Sequence, residues 1–377
     1  MRLKAPLLIF LVSVLPGVSF AGSTLIQYAT PQDFGGLKLS HAKWDAQAGG
    51  VIFDESVPGS KVGAIARGLI ESPEIPATSG FDHAIASWNA STPSGSYLSV
   101  YIRSRVNGVW TNWYCLGLWT VDDRPMPRTT FKKEDAFGMM DTETLKLKQK
   151  ADAFKIRLQL ESSDGKTYPT VRYLAVNLND SEIWQEDIPQ VKAVWGRELD
   201  VPYLCQLSVP GGNGWCSATS TAMLLSYWSK KLHRPELNVG ITKVANNVYD
   251  KDYGGTGDWS FNVAYAGSFK GIRAYVTRFT SVSQIEQWIA KGVPVIVSVN
   301  HATLKGEVDP NSGHLMVIRG FTKDGDPVFN DPWARLELGE KLRKIYTRER
   351  LEAAWLTPDG SWGTVYMILP EGFPGVD

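Results

Sequence analysis

Cysteine is scarce in this chain. Cys115, Cys205 and Cys216 are the only three in 377 residues. An odd set leaves at least one of them without an intramolecular partner. Neither CxxC nor HxxxH spacing occurs, and the five histidines are scattered, so no metal site is expected. Excess charge of either sign is also missing. Lys plus Arg equals Asp plus Glu at 39 each, with no long run of one sign, so nucleic-acid binding has no electrostatic support. Beyond the N-terminus no segment reaches about 18 uninterrupted apolar residues, which argues against a later membrane span. There is no fixed-period repeat and no low-complexity segment.

The N-terminus reads as an export signal over residues 1–21. Arg2 and Lys4 supply the charged start, residues 5–18 an apolar stretch, and Ser19 and Ala21 the small residues before a cleavage point. The rival reading, an uncleaved anchor, is opposed by the shortness of the run and by Pro6 and Pro16. No cysteine follows that would take a lipid. The mature protein is therefore expected in the periplasm or the medium, with no membrane attachment after cleavage near Ala21. In such a compartment paired cysteines become disulfides, so Cys115 and Cys205 either bond across the chain or remain separate thiols.

Length allows two domains with full cores, and the periodicity divides accordingly. Over residues 22–180 short strands alternate with turns. Leu98, Val100 and Ile102, then Phe154, Ile156, Leu158 and Leu160, recur at every second position. Asn107-Gly108 and Asp164-Gly165 suit hairpin turns that need positive φ. Residues 134–150 are ambiguous. Repeated half-buried strands suggest a β-sandwich accessory domain. Trp88, Trp110, Trp113 and Trp119 fit either a glycan- or peptide-stacking surface or core packing. Residues 181–198, charged and lacking period, read as a linker. Over residues 199–377 helices come first and strands later, an α+β layout. Ala218, Ala222, Leu225, Trp228 and Leu232 form a helical stripe, widened by Met223, Leu224 and Tyr227. Ser283 with Glu286 suggests a capping box opening a helix that Gly292 closes. VPVIVSVN reads as a buried strand, and HLMVIRGF with DPVFNDP as an antiparallel hairpin.

The chemistry gathers in this second half. Cys216 stands at or just before the first turn of the apolar helix, after Gly211, Gly212 and Gly214. Unpaired N–H groups and the helix dipole there favour a thiolate. A small buried hydrophobe at a helix start fits the position equally. His314 opens a strand beside Gly313 and has the chemistry to take the thiol proton and return it to a leaving amine. It also reads as a strand-end histidine with a satisfied ring. Asp331 ends the return strand, so the two face each other across the open end of one hairpin. There it would fix the histidine tautomer, or simply terminate the strand with Pro332. Asn330 would point to the opposite face. Gln206 offers a side-chain amide as an oxyanion donor. Asp258, Trp259 and Asn262 fit a cleft lining or a helix cap. His41, His83, His233 and His301 have no partner pattern.

The order Gln, Cys on a helix, His on a strand, Asp is the layout of a papain-like cysteine peptidase. The segments VPYLCQLSVPGGNGWCSATSTAMLLSYW, GGTGDWSFNVAYAGSFKGIRAYVTRF and GHLMVIRGFTKDGDPVFNDPWA resemble secreted bacterial peptidases related to the bacteriocin-processing, double-glycine leader peptidases. The resemblance spans roughly residues 199–370. It implies Cys216 as nucleophile, His314 as base and acid, Asp331 as orienter and Gln206 in the oxyanion hole, acting on a peptide or protein without cofactor. The upstream half resembles the β-sandwich that precedes this secreted form. Two departures bear on specificity: Ser217 follows the nucleophile where the leader-processing exporters have glycine, and their membrane and ATP-binding domains are absent here. Amide hydrolysis is therefore the expectation, rather than cleavage after a double glycine. The same residues would serve an amidase, deamidase or acyl transferase. A protein of another class, non-catalytic and surface-binding, would not require the set of four.

Overall fold

In the computed structural model the chain is described over residues 18–20, 22–57, 61–62, 65–124 and 126–373. The expected leader lies outside these residues apart from the strand Val18–Phe20. No described helix is long and apolar enough to cross a membrane.

The first region is all β. Phe154, Ile156, Leu158 and Leu160 are buried while Lys155, Arg157 and Gln159 between them are only partly so, the alternation of a strand with one face on a core. Asn107 and Gly108 take φ of 51° and 76° and turn Ser96–Val106 into Val109–Trp110. The ambiguous stretch is β as well, with Gly138–Asp141 pairing against the start of Thr144–Ser162.

The expected sandwich of two stacked sheets is not what these strands build. They form one hydrogen-bonded sheet that curls into a nearly closed barrel. Its main path runs Ser23–Tyr28, Thr170–Asn179, Ile75–Ser91, Thr144–Ser162, Ile65–Glu71, Lys38–Ser40, all antiparallel. From Lys38–Ser40 the chain turns at His41 into Ala42–Asp45. That strand pairs with Gly50–Phe53, which bridges back to Thr170–Asn179 at Val51 and Val171. Two long strands make the curl possible. Ile75–Ser91 and Thr144–Ser162 pair with register shifts around Ala151, and Gly80 bends the first of them at φ 69°. Extra residues in a pair increase local twist, so successive parts of one strand meet different neighbours. Trp88 and Trp119 are fully buried. Trp110 and Trp113 lie partly exposed with Arg103 stacked over both rings, at 5.0 and 4.8 Å. The four tryptophans therefore do not share one surface.

The second region is α+β. Helices Cys216–Leu232, Ile241–Val248 and Trp259–Ala266 come first. The six-stranded antiparallel sheet then runs Ile272–Arg278, Thr364–Pro370, Val295–Asn300, Gly313–Phe321, Pro327–Asn330, Arg343–Ile345 in space. The helix Cys216–Leu232 is buried from Ser217 to Ser229 and lies on this sheet. Trp228 Nε1 donates to the Ile368 carbonyl at 2.6 Å, and Ser220 Oγ to that of Leu315 at 3.1 Å. The helix Val282–Ala290 starts two residues earlier than its sequence suggests. Ser281 is the cap and Gln284 completes the box by accepting from the backbone N–H groups of Thr280 and Ser281. Glu286 is thereby free to bind Arg348, the Trp195 indole and the Val191 N–H. The last two anchor the irregular segment between the two regions.

The regions are joined by a buried polar seam rather than a loose tether. The Asn89 amide pairs with both backbone groups of Ala274, donating to its carbonyl at 2.7 Å and accepting from its N–H at 2.9 Å. Ser87 Oγ accepts from the Val276 N–H, and Ser260 Oγ donates to the Ala86 carbonyl. Phe261 packs between Trp88 and Trp119. His83 lies with Nδ1 2.8 Å from Arg278 Nη1; burial and that guanidinium push its pKa down to about 3. Arginine only donates, so Nδ1 accepts and the ring is neutral.

Candidate active site

Gln206 lies in a short 3-10 turn and is buried. Its Nε2 donates one N–H to the Gly212 carbonyl at 3.1 Å, and its backbone N–H bonds the Pro332 carbonyl at 2.9 Å. Gly212 is required by this approach, because a Cβ there would sit 1.8 Å from the Gln206 carbonyl oxygen. The folded loop brings the chain to Trp215, the cap residue, and then to Cys216, the first residue of the helix. No side chain caps this end, so the N–H groups of the first turn remain available. Ser217 points the other way and shares a 2.8 Å hydrogen bond with the Tyr366 hydroxyl. A side chain at this position is accommodated because Tyr366 pairs with it.

His314 and Asp331 come together from the two strands of the hairpin. His314 is the second residue of Gly313–Phe321, and Asp331 follows Pro327–Asn330. The ring Nε2 lies 2.7 Å from Asp331 Oδ1, and both side chains are buried. Oδ1 also accepts from the Trp333 N–H at 2.9 Å, and the Asp331 backbone N–H donates to the Leu342 carbonyl at 2.7 Å, so both the carboxylate and its backbone are held. Asn330 faces away and ties to the carbonyls of Val201 and Pro202.

The Cys216 thiol closes the row. Burial alone would raise its pKa, but the hydrogen bond and charge of His314, with backbone donors at Leu315 and Ser217, bring it below the ordinary value. Burial opposes charge on His314 too. The hydrogen bonds and charges of Asp331 and Cys216 outweigh it and lift the imidazole to about 10. With Nε2 committed to Asp331, the other ring nitrogen serves the sulfur. A thiol pulled down beside an imidazole pulled up favours a thiolate–imidazolium pair. The other two cysteines differ: all three are free, but burial pushes Cys115 up to about 11, and Cys205 is buried with Sγ 3.2 Å from the Ala334 carbonyl.

Two family descriptions match this chain. The Peptidase C39 like family covers residues 198–360, and the Peptidase C39 N-terminal domain covers residues 27–179. The chain belongs to the C39-like peptidase family. That membership implies cysteine peptidase activity on a peptide substrate. Among solved structures, this chain is similar to one of a C39-like peptidase from Bacillus anthracis at 18% identity, covering 46% of this chain and 96% of that one, with a TM-score of 0.35. No curated protein matches.

In this C39-like peptidase one residue of the site was not legible as such. His301 stacks on His314, with ring centroids 4.5 Å apart and planes at 33°, and its Nε2 lies 3.7 Å from Asp331 Oδ2. Far from lacking a neighbour, it stacks on one ring and faces the same carboxylate. Burial and the charge of His314 push its pKa down to about 4. The pairing of Asn300 with Gly313 puts His301, just past one strand, beside the start of the other. Asp258 and Asn262 are the capping and packing residues of their helix. Asp258 accepts from the Phe261 N–H at 2.7 Å, and Asn262 donates to the Thr256 and Asp258 carbonyls.

Proposed function

We propose that the protein is an exported thiol hydrolase that cleaves peptide bonds, with residues 1–21 as leader, 22–180 as accessory domain, 181–198 as linker and 199–377 as the peptidase domain. The Cys216 thiolate attacks the scissile carbonyl. The Cys216 N–H and the second N–H of Gln206 hold the oxyanion, where a preorganised donor is worth about 10²–10³ in rate. The His314 imidazolium protonates the leaving amine as the C–N bond breaks, leaving a thioester on sulfur. His314, now neutral, takes a proton from water. The hydroxide equivalent attacks the thioester, and the acid product and thiolate are released. Asp331 keeps the ring oriented throughout and stabilises its charged form.

The observation that carries this reading is the bond from His314 to Asp331 at 2.7 Å on a ring whose other side meets a thiol at a helix N-terminus. A peptide-library cleavage profile of wild type against Cys216→Ala tests it. The expected result is a defined set of cut sites, with one water added per cut, that vanishes in the variant. Equal cleavage by the two proteins would refute it, and a product carrying an amine in place of water would reassign it to acyl transfer.

A further inference from the structure

We infer that His301, His314 and Asp331 form a reversible zinc site that disables the catalytic histidine when filled. One ring nitrogen of each histidine and a carboxylate oxygen of Asp331 all lie within 4.8 Å of one another. Asp331 divides its two oxygens: Oδ1 takes the bonds of His314 and Trp333, and Oδ2 faces His301 Nε2 across 3.7 Å. That gap is too long for a hydrogen bond. It is close to the spacing of two ligand atoms on one tetrahedral zinc, about 3.4 Å when each bond is about 2.0–2.2 Å. Two imidazoles and one carboxylate are a donor set suited to zinc rather than to calcium or magnesium, which prefer oxygen alone.

Access and charge suit the same ion. The His301 side chain is 17% exposed against 8% for His314 and 2% for Asp331, so an incoming cation meets His301 and Oδ2 first. The two atoms face each other with no hydrogen bond between them. His314 joins by exchanging its Nε2 proton for the metal, with a small turn of the ring and loss of the bond to Oδ1. One proton leaves to solvent for each ion bound. Turned onto the metal, the ring loses the Asp331 bond that orients it, and its other nitrogen no longer sits beside the Cys216 sulfur to protonate a leaving amine. The ligands are widely separated in sequence and come from two strand ends and a short helix, so no spacing motif announces them.

Binding is separable from the peptidase reading, because it is measured in a protein with no nucleophile. Cys216→Ser is titrated with zinc chloride by calorimetry, and with cobalt chloride by visible absorption. One ion per chain, with the absorption bands of tetrahedral cobalt, is expected. Adding His301→Ala should weaken binding at least tenfold, and adding His301→Gln should do the same at an unchanged melting temperature. Three results would overturn the site: no binding to Cys216→Ser, which puts the ion on the thiol; equal affinity with and without His301; or a loss of affinity that follows a loss of fold.

Discussion

At the residue scale, the proposed chemistry depends on where four side chains are held. Cys216, His314 and Asp331 stand at the ends of regular elements, so periodicity locates them and the hairpin brings two of them together. Gln206 is different. Its sequence context is irregular, and its seat is made by a side-chain bond to the Gly212 carbonyl and a backbone bond to that of Pro332, which no spacing rule foretells. Replacing Gln206 with alanine removes the proposed second oxyanion donor and its bond to the Gly212 carbonyl, while the backbone bond to Pro332 persists. A fall in kcat of about 10²–10³ with KM little changed is expected from steady-state kinetics. A change confined to KM would place Gln206 in substrate binding instead. The placing of His301 is not legible in the sequence for a topological reason. The strands Val295–Asn300 and Gly313–Phe321 were each readable, but their pairing, which sets His301 against His314, was not.

At the element scale, local signals were sound where one residue decides and weak where neighbours compete. The helix at Val282–Ala290 was legible, yet its cap was misplaced because both Ser281 and Ser283 qualify by type. Gln284, folding back on Thr280 and Ser281, settles it. Alternation in Thr144–Ser162 marks a strand but says nothing of its bend, so sandwich and barrel were indistinguishable by period alone. Asn89 shows how an element can be completed by a side chain. Its amide stands where a neighbouring strand would be and satisfies both backbone groups of Ala274. Asn89→Ala leaves a buried N–H and C=O unpaired, at about 1–3 kcal/mol for each group. Chemical denaturation should show a loss of at least 2 kcal/mol, and an unchanged midpoint would mean that water replaces the amide.

At the scale of the whole molecule, the two regions meet through a seam built largely from polar residues. Ser87, Asn89 and Ser260 look like solvent-facing positions in sequence, which is why the junction was not legible there. Glu143 is the sharpest case. From the turn after Gly138–Asp141 it accepts the Trp259 N–H and shares a hydrogen bond with Asp258 at the start of the helix Trp259–Ala266. Burial raises it to about 8. A carboxyl with a folded pKa above its unfolded one binds more protons when folded, so stability falls as pH rises between about 4.5 and 8. Glutamine mimics the protonated form and carries no such loss. The melting temperature of Glu143→Gln should therefore exceed that of wild type at pH 9 and converge with it near pH 4.5. Parallel curves would show that Glu143 keeps the same proton count folded and unfolded.

The central claim is that Cys216 is a thiolate poised by His314. Its most direct test is the rate of alkylation of the native protein by dilute iodoacetamide as a function of pH, with the labelled site read by mass spectrometry. Rapid labelling confined to Cys216, persisting to about pH 6, where an ordinary thiol of pKa about 8.5 is almost wholly protonated, and lost in His314→Ala, is the predicted result. Labelling of Cys216 no faster than a free thiol, or unaffected by the loss of His314, would contradict it.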